Sequence, residues 1–218
     1  MKRKSIPLLV AVSALLLAAL LCACGSTAPS RFYTLGSMDG IDSSGKAPVM
    51  PGGMTVGVGP LDIPDYLERP QIVTRSGDNG LEVAQYDRWA GSLKQDIMRV
   101  LIRDLSAYLP SGAMVLSWKR GIPVNYRVAV EVTGLDVIPG SSVLLRGQWA
   151  IFGSEPKNPL VLRSRSFTEP LTGNDMNTTV AGMGKAVGQL GQAIAADIAA
   201  QTGHGSSPTP AKKDKQSR

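Results

Sequence analysis

Hydrophobic residues recur at two spacings along the chain, and the spacing marks its elements. Val124, Tyr126, Val128, Val130 and Val132 alternate with Asn125, Arg127, Ala129, Glu131 and Thr133, the period of a strand with one buried face. Gly140 and Ser141 turn this segment into Val143–Phe152, where Leu145, Trp149 and Ile151 share a face. Lys157-Asn158-Pro159 turns it again into Leu160–Thr168. Together these predict an antiparallel meander. Upstream, Arg31–Leu35, Thr55–Gly59, Gln71–Arg75, Leu81–Gln85 and Met114–Trp118 are shorter strand candidates. Pro60 is expected to end the second of them. Ser76-Gly77-Asp78-Asn79-Gly80 is expected to close a hairpin between the next two. Prolines 64 and 70 leave the intervening stretch as a loop or single turn.

Two segments carry the helical period instead. Trp89, Leu93, Ile97, Val100, Leu101, Leu105 and Tyr108 recur at three- and four-residue intervals, with Lys94, Asp96, Arg99 and Arg103 largely off that stripe. Asp87 is the predicted cap of this helix, and Pro110 and Gly112 stop it. A second helix is predicted from about Asp175 to Gln201, with Met176, Val180, Met183, Val187, Leu190, Ile194 and Ile198 on one stripe. Each element hides a single face. The simplest closure is a single α/β (α+β) domain, a mixed and largely antiparallel sheet with two long amphipathic helices packed on it. Its expected limits are residues 54–202. Residues 24–53, rich in Gly, Ser, Pro and Met, read as a linker, and 203–218 as a disordered basic tail.

The N-terminus follows the secretory pattern. Lys2, Arg3 and Lys4 precede an uncharged apolar run from Ile6 to Leu21, and Ala23 stands just before Cys24. By length alone the run could remain as a membrane helix. Leu21-Cys22-Ala23-Cys24-Gly25 favours cleavage, with a branched aliphatic at −3, a small residue at −1 and a thiol at +1. This resembles the lipobox of bacterial lipoproteins. The resemblance implies removal of residues 1–23, an S-diacylglycerol group on Cys24 and an N-acyl group on its new amine. Three acyl chains exceed what stable anchoring needs. Gly25, where an aspartate would mark inner-membrane retention, points to the periplasmic face of the outer membrane.

Charge and chemistry narrow the function further. The formal charge is +6. Three of those positives leave with the leader, and Lys212, Lys213, Lys215 and Arg218 against Asp214 place a further net three in the tail. The remaining chain is neutral, which argues against a nucleic-acid partner. Both cysteines lie in the lipobox and the sole histidine, His204, lies in the Gly/Ser/Pro-rich tail. A catalytic triad, a Cys–His dyad or a histidine-rich metal site has nothing to be built from, and no cofactor is expected beyond the covalent lipid. Gly182-Met183-Gly184-Lys185-Ala186 lacks the spacing and hydroxyl of a phosphate-binding loop. Gly57-Val58-Gly59 lacks the third glycine and following helix of a dinucleotide fingerprint. Gly184, Gly188 and Gly191 fit close helix packing better. Asp62, Asp65 and Glu68 could serve hydrolysis only if a cleft held two of them at working distance, and a turn-rich loop carries acids for ordinary reasons.

One group of motifs is more specific. Phe32-Tyr33-Thr34-Leu35 is followed by Pro64-Asp65-Tyr66-Leu67-Glu68-Arg69-Pro70, then Thr74-Arg75, then Arg88-Trp89-Ala90-Gly91-Ser92-Leu93. The set, with the strand–strand–strand–helix order after it, resembles the ABC-type transport auxiliary lipoprotein family over about residues 31–200. The resemblance implies a role rather than a reaction. Such lipoproteins stand at the outer membrane beside an inner-membrane permease and an MCE-domain protein that spans the periplasm. The implied function is a non-enzymatic part in lipid transport and envelope integrity, in which a homo-oligomer would suit a ring-shaped partner. Tyr66, Leu67, Arg69, Arg75 and Trp89 are then the candidate partner-binding residues, since Tyr, Trp and Arg are favoured interface anchors. Against this, Leu67 and Trp89 suit a core, and Arg69 and Arg75 could pair with nearby acids. The alternative function is a lipoprotein that carries acyl chains in a pocket of its own.

Overall fold

The long strand predicted from the alternating valines is the spine of the molecule. In a computed structural model that describes residues 28–36, 53–154 and 157–204, it runs as β6, Tyr126–Ile138. β7 (Ser142–Phe152) and β8 (Val161–Pro170) follow it antiparallel, as the meander requires. Gly140 makes the first turn at φ 68°, a left-handed conformation that favours glycine. On the other side of β6 lies β2 (Thr55–Asp62), parallel to it, and beyond β2 lies β5 (Met114–Ser117), also parallel. The five-stranded order is β5-β2-β6-β7-β8.

A separate sheet of three strands has the order β1-β4-β3. β3 (Gln71–Ser76) and β4 (Gly80–Trp89) are the predicted hairpin, and β1 (Arg31–Tyr33) pairs parallel to the end of β4. The strands therefore form two sheets rather than one. The folded unit also takes in residues 31–36 from the stretch read as linker, because Leu35 is only 1% exposed. The lipobox with Cys24, the rest of the linker from 37 to 52 and the tail beyond His204 lie outside the described residues.

Two helices cover one face of the larger sheet. α1 (Leu93–Tyr108) lies against β2 and β5, α2 (Met176–His204) against β6, β7 and β8, and the two pack on each other. The apolar stripes read from the sequence meet here. Ile97, Val100, Leu101 and Leu105 of α1 and Met183, Val187, Leu190 and Ile194 of α2 are fully buried over Val58, Val128, Leu145 and Ile151. Asp175 starts α2. Its carboxylate accepts from the Thr178 backbone N–H at 3.0 Å and from the Thr178 hydroxyl, and these bonds hold its pKa below the usual range.

Two expected boundaries moved. Asp87 caps no helix, and Trp89 is the last residue of β4; the helix begins at Leu93 after Ser92. The four-residue interval from Trp89 to Leu93 imitates a helical turn. Pairing on both sides of β4 decides otherwise, since Trp89 N–H donates to Pro70 O at 2.7 Å and Ala90 N–H to Tyr33 O at 2.8 Å. Pro60 does not end β2, which continues to Asp62. The register with β6 shifts between Val58 and Leu61, so Pro60 stands where no ladder bond is lost.

The β5–β6 connection explains Gly57 and Gly59. Both strands run parallel to β2 on either side of it, so residues 118–125 must return along the sheet. They lie on the face of β2 away from the helices. A Cβ at position 57 would stand 2.7 Å from Trp118 Cδ1, and Gly59, at φ 146°, lies beneath the Trp118 carbonyl. These glycines seat a crossing chain; no phosphate loop is formed.

Candidate docking surface

Tyr66, Leu67, Arg69, Arg75 and Trp89 do not form one surface. Leu67 and Trp89 are 3% and 4% exposed. Burial moves both into the core, with only an edge of Leu67 left beside Arg69. Tyr66 and Arg75 do come together, beyond the end of β2. The Leu135 N–H donates to Tyr66 Oη at 3.4 Å, and Arg75 Nε donates to Asp136 Oδ1 at 2.7 Å. Arg146 donates to the other oxygen of Asp136. Its guanidinium lies flat on Gly134, where a Cβ would come within 2.5 Å of Nη2. The hydrogen bond and charge of Asp136 raise the Arg75 pKa above its ordinary value. Every charge in this knot is partnered, so it joins β3 to β6 and offers nothing free to a ligand.

Arg69 is exposed and has no ion-pair partner among the described residues. It lines a hollow of about 380 Å³ with Leu67, Glu68, Pro70 and the Gly91–Leu93 turn before α1. Lys94 follows that turn, its ammonium 3.6 Å from Glu68 and 3.2 Å from Asp62. Beyond Lys94 opens a groove of about 860 Å³. Pro60, Leu61, Met98 and Ile102 give it an apolar lining, and Lys94, Arg99 and Arg103 a cationic one. The helical repeat of α1 supplies most of these side chains from one face. The acids considered for hydrolysis sit here as exposed residues, with Lys94 between Asp62 and Glu68, an ordinary surface ion pair.

The Phe-Tyr-x-Leu stretch is fixed against the same helix. Arg31 donates to both oxygens of Asp87 at 2.7 and 2.9 Å, and Tyr33 Oη adds a third bond at 3.0 Å. Burial, then Asp87, pushes the Tyr33 phenol above its usual pKa. Just past β1, the Leu35 N–H donates to Asp96 Oδ2 at 3.0 Å, and Arg99 Nη2 donates to the Leu35 carbonyl at 3.1 Å. Asp96 and Arg99 also pair with each other at 2.8 Å. The segment through which a lipid anchor would pull is therefore bolted to α1, one turn from the groove.

The order of these pieces along the chain is that of the motif group. The family model described as ABC-type transport auxiliary lipoprotein component matches residues 33–195. The chain belongs to that family. It is thus a lipoprotein of the transport-auxiliary class, and the fold is shared by solved structures. One, an uncharacterized protein, is 22% identical at a TM-score of 0.65, covering 78% of this chain and 99% of its own. A Xanthomonas campestris protein is 13% identical at a TM-score of 0.58, with the same coverage of each chain. None of the curated proteins compared matches it. No helix among the described residues is long and apolar enough to cross a membrane.

Within this auxiliary lipoprotein, sequence reasoning missed Asp96, Arg99, Asp136 and Arg146. Asp136 had a visible signal. It sits just past Gly134, where the valine alternation of β6 loses step as the register shifts after Val132. Asp96 and Arg99 had none, because a polar residue off a helical stripe reads as solvated.

Proposed function

We propose that the protein is a non-enzymatic outer-membrane lipoprotein, anchored through lipid on Cys24 and facing the periplasm. In this reading it receives the end of a periplasm-spanning MCE-domain protein whose permease lies in the inner membrane, and so supports lipid transport between the membranes. The family match over residues 33–195 carries the reading. The groove beside α1 is the surface assigned to the partner, since its apolar lining suits the apolar face of an amphipathic segment; Lys94, Arg99 and Arg103 at its edge already pair with Asp62, Asp96 and Asp104. Leu67, Trp89 and Arg75 serve by shaping this end of the fold, and Arg69 by direct contact at its margin.

The test is a crosslinking pull-down from membranes with the lipidated chain, beside Cys24→Ala and Ile102→Glu variants. Recovery of an MCE-domain protein and its permease, lost with Ile102→Glu, is the expected result. Recovery of neither removes the reading. The groove volume also favours a second reading, an acyl chain held in the same place. Stoichiometric lipid extracted from the purified Cys24→Ala chain, with no partner recovered, would move the assignment there.

A further inference from the structure

The face of the larger sheet opposite the helices is bare at the β8 end, and an unpartnered arginine stands on it. Arg127 of β6 projects between two aromatic rings, its guanidinium carbon 4.1 Å from the Phe152 ring centroid and 4.9 Å from that of Trp118. No carboxylate or carbonyl among the described residues bonds it. The rings hold the planar group in place and leave its N–H edge unsatisfied.

The neighbourhood continues the same chemistry. Trp118 opens the crossing loop, and its indole N–H donates to Ile122 O at 3.1 Å, which fixes the loop's turn. Lys119 and Arg120 on that turn are exposed and likewise lack ion-pair partners among the described residues. From Trp118 to Val130 the sequence holds no acidic residue. Apolar side chains flank the cations and face water: Ile122 is 38% exposed, Leu160 52% and Leu162 67%. Leu162 pairs with Ala150 on the outer side of the sheet, next to Phe152.

We infer that this face rests on an anionic lipid surface, with Arg127, Lys119 and Arg120 on headgroup phosphates and Ile122, Leu160 and Leu162 at the acyl boundary. Cations beside exposed aliphatic and aromatic side chains are the composition of an interfacial contact. The shallow depression beside them, about 200 Å³, is lined by Ala129, Ala150 and Leu162, with Asp62 and Glu131 at its far edge, so the cationic part of the face is confined to the end that carries Arg127 and the crossing loop. The inference rests on the lipid anchor of the proposed function. A tether keeps headgroups at high local concentration, so a few cations suffice to choose which face turns to the membrane. The side chains that line the groove from α1 lie on the helix-covered face, and Pro60 and Asp62 at the end of β2 border both the groove and the depression.

Tryptophan quenching tests this in the full chain. Trp89 and Trp149 are buried, so quenching by lipid brominated near the headgroup reports Trp118. Acylation of Cys24 is first verified by mass spectrometry, and its absence would remove the anchor reading without touching the face. The acylated chain is then placed in vesicles of phosphatidylcholine alone or with a third phosphatidylglycerol. Expected is stronger quenching in the anionic vesicles, reversed by high salt. Lys119→Gln with Arg120→Gln should lower the contact equilibrium about 25-fold, near fivefold per cation, with an unchanged melting curve. Equal quenching in both vesicles, or no response to these variants, overturns the inference. So does lipid-free self-association through this face by sedimentation, or protection of Lys119 from amine labelling only when a protein partner is present.

Discussion

Asp104 is the residue whose chemistry is least comfortable in this fold. Its side chain is wholly buried where α1 meets α2, beside Gly191. One oxygen accepts from Arg103 Nη2 at 3.1 Å, and Oδ2 has no partner. Burial raises its pKa, with Arg103 pulling the other way, and burial also raises Tyr108 one turn on. A carboxyl whose folded pKa lies above its unfolded one adds full stability only below the unfolded value. That contribution is lost as pH rises toward the folded value, so at neutral pH Asp104 burdens the fold. Asp104→Asn keeps the shape and the acceptor for Arg103. It should raise stability at pH 7 by about 1 kcal/mol, about 2–4 °C in Tm for a domain of this size. Thermal melts of both chains from pH 7 down to pH 4 should converge as the wild-type carboxyl protonates. A variant less stable at every pH would mean the charge has a partner in solution.

At the scale of elements, the same substitution in one helix should have opposite signs. Alanine is preferred over glycine within a helix by up to about 1 kcal/mol. At Gly191 a Cβ would meet Asp104 Cβ at 3.4 Å, ordinary contact. Gly191→Ala should therefore be neutral or stabilising by about 0.5–1 kcal/mol. At Gly184 a Cβ would stand 2.6 Å from the Gly36 carbonyl oxygen, a backbone atom held by the Leu35 clamp. Overpacking of this kind costs about 1–3 kcal/mol and outweighs the propensity, so Gly184→Ala should lose about 1 kcal/mol net in urea unfolding. The helical spacing of these glycines was legible in the sequence, as were the meander and both apolar stripes, because local period encodes which face is buried. The start of α1 was not legible. Trp89 satisfies a helical interval and a strand alternation equally, and only long-range pairing with Tyr33 and Pro70 tells them apart. For the same reason two of the five docking candidates proved to be core, since an aromatic motif marks an anchor without saying whether it faces inward.

The division into two sheets belongs to the whole molecule. No local pattern announces that β1, whose residues lie 56 positions from their partners in β4, completes a sheet with the hairpin. What the three residues of β1 do beyond their length follows from the groups that depend on them. Asp87 and Asp96 are 8% and 9% exposed and take their partners from residues 31–35 and from Arg99, whose own position uses the Leu35 carbonyl. A chain beginning at residue 54 would keep seven of the eight strands and both helices. It would lose Leu35, a burial of the kind that costs about 2–5 kcal/mol when truncated. It would also leave two buried carboxylates short of donors, at about 1–3 kcal/mol each. Domains of this kind are stable by only about 5–15 kcal/mol. The shortened chain should thus unfold at less than half the urea midpoint of the full one, or fail to fold, whereas a chain beginning at residue 28 should match the full midpoint. Equal midpoints for all three would mean that β1 merely rests on the domain. In that case pull on the lipid anchor would peel residues 31–36 away and never reach α1, and the groove beside it could not sense the tether.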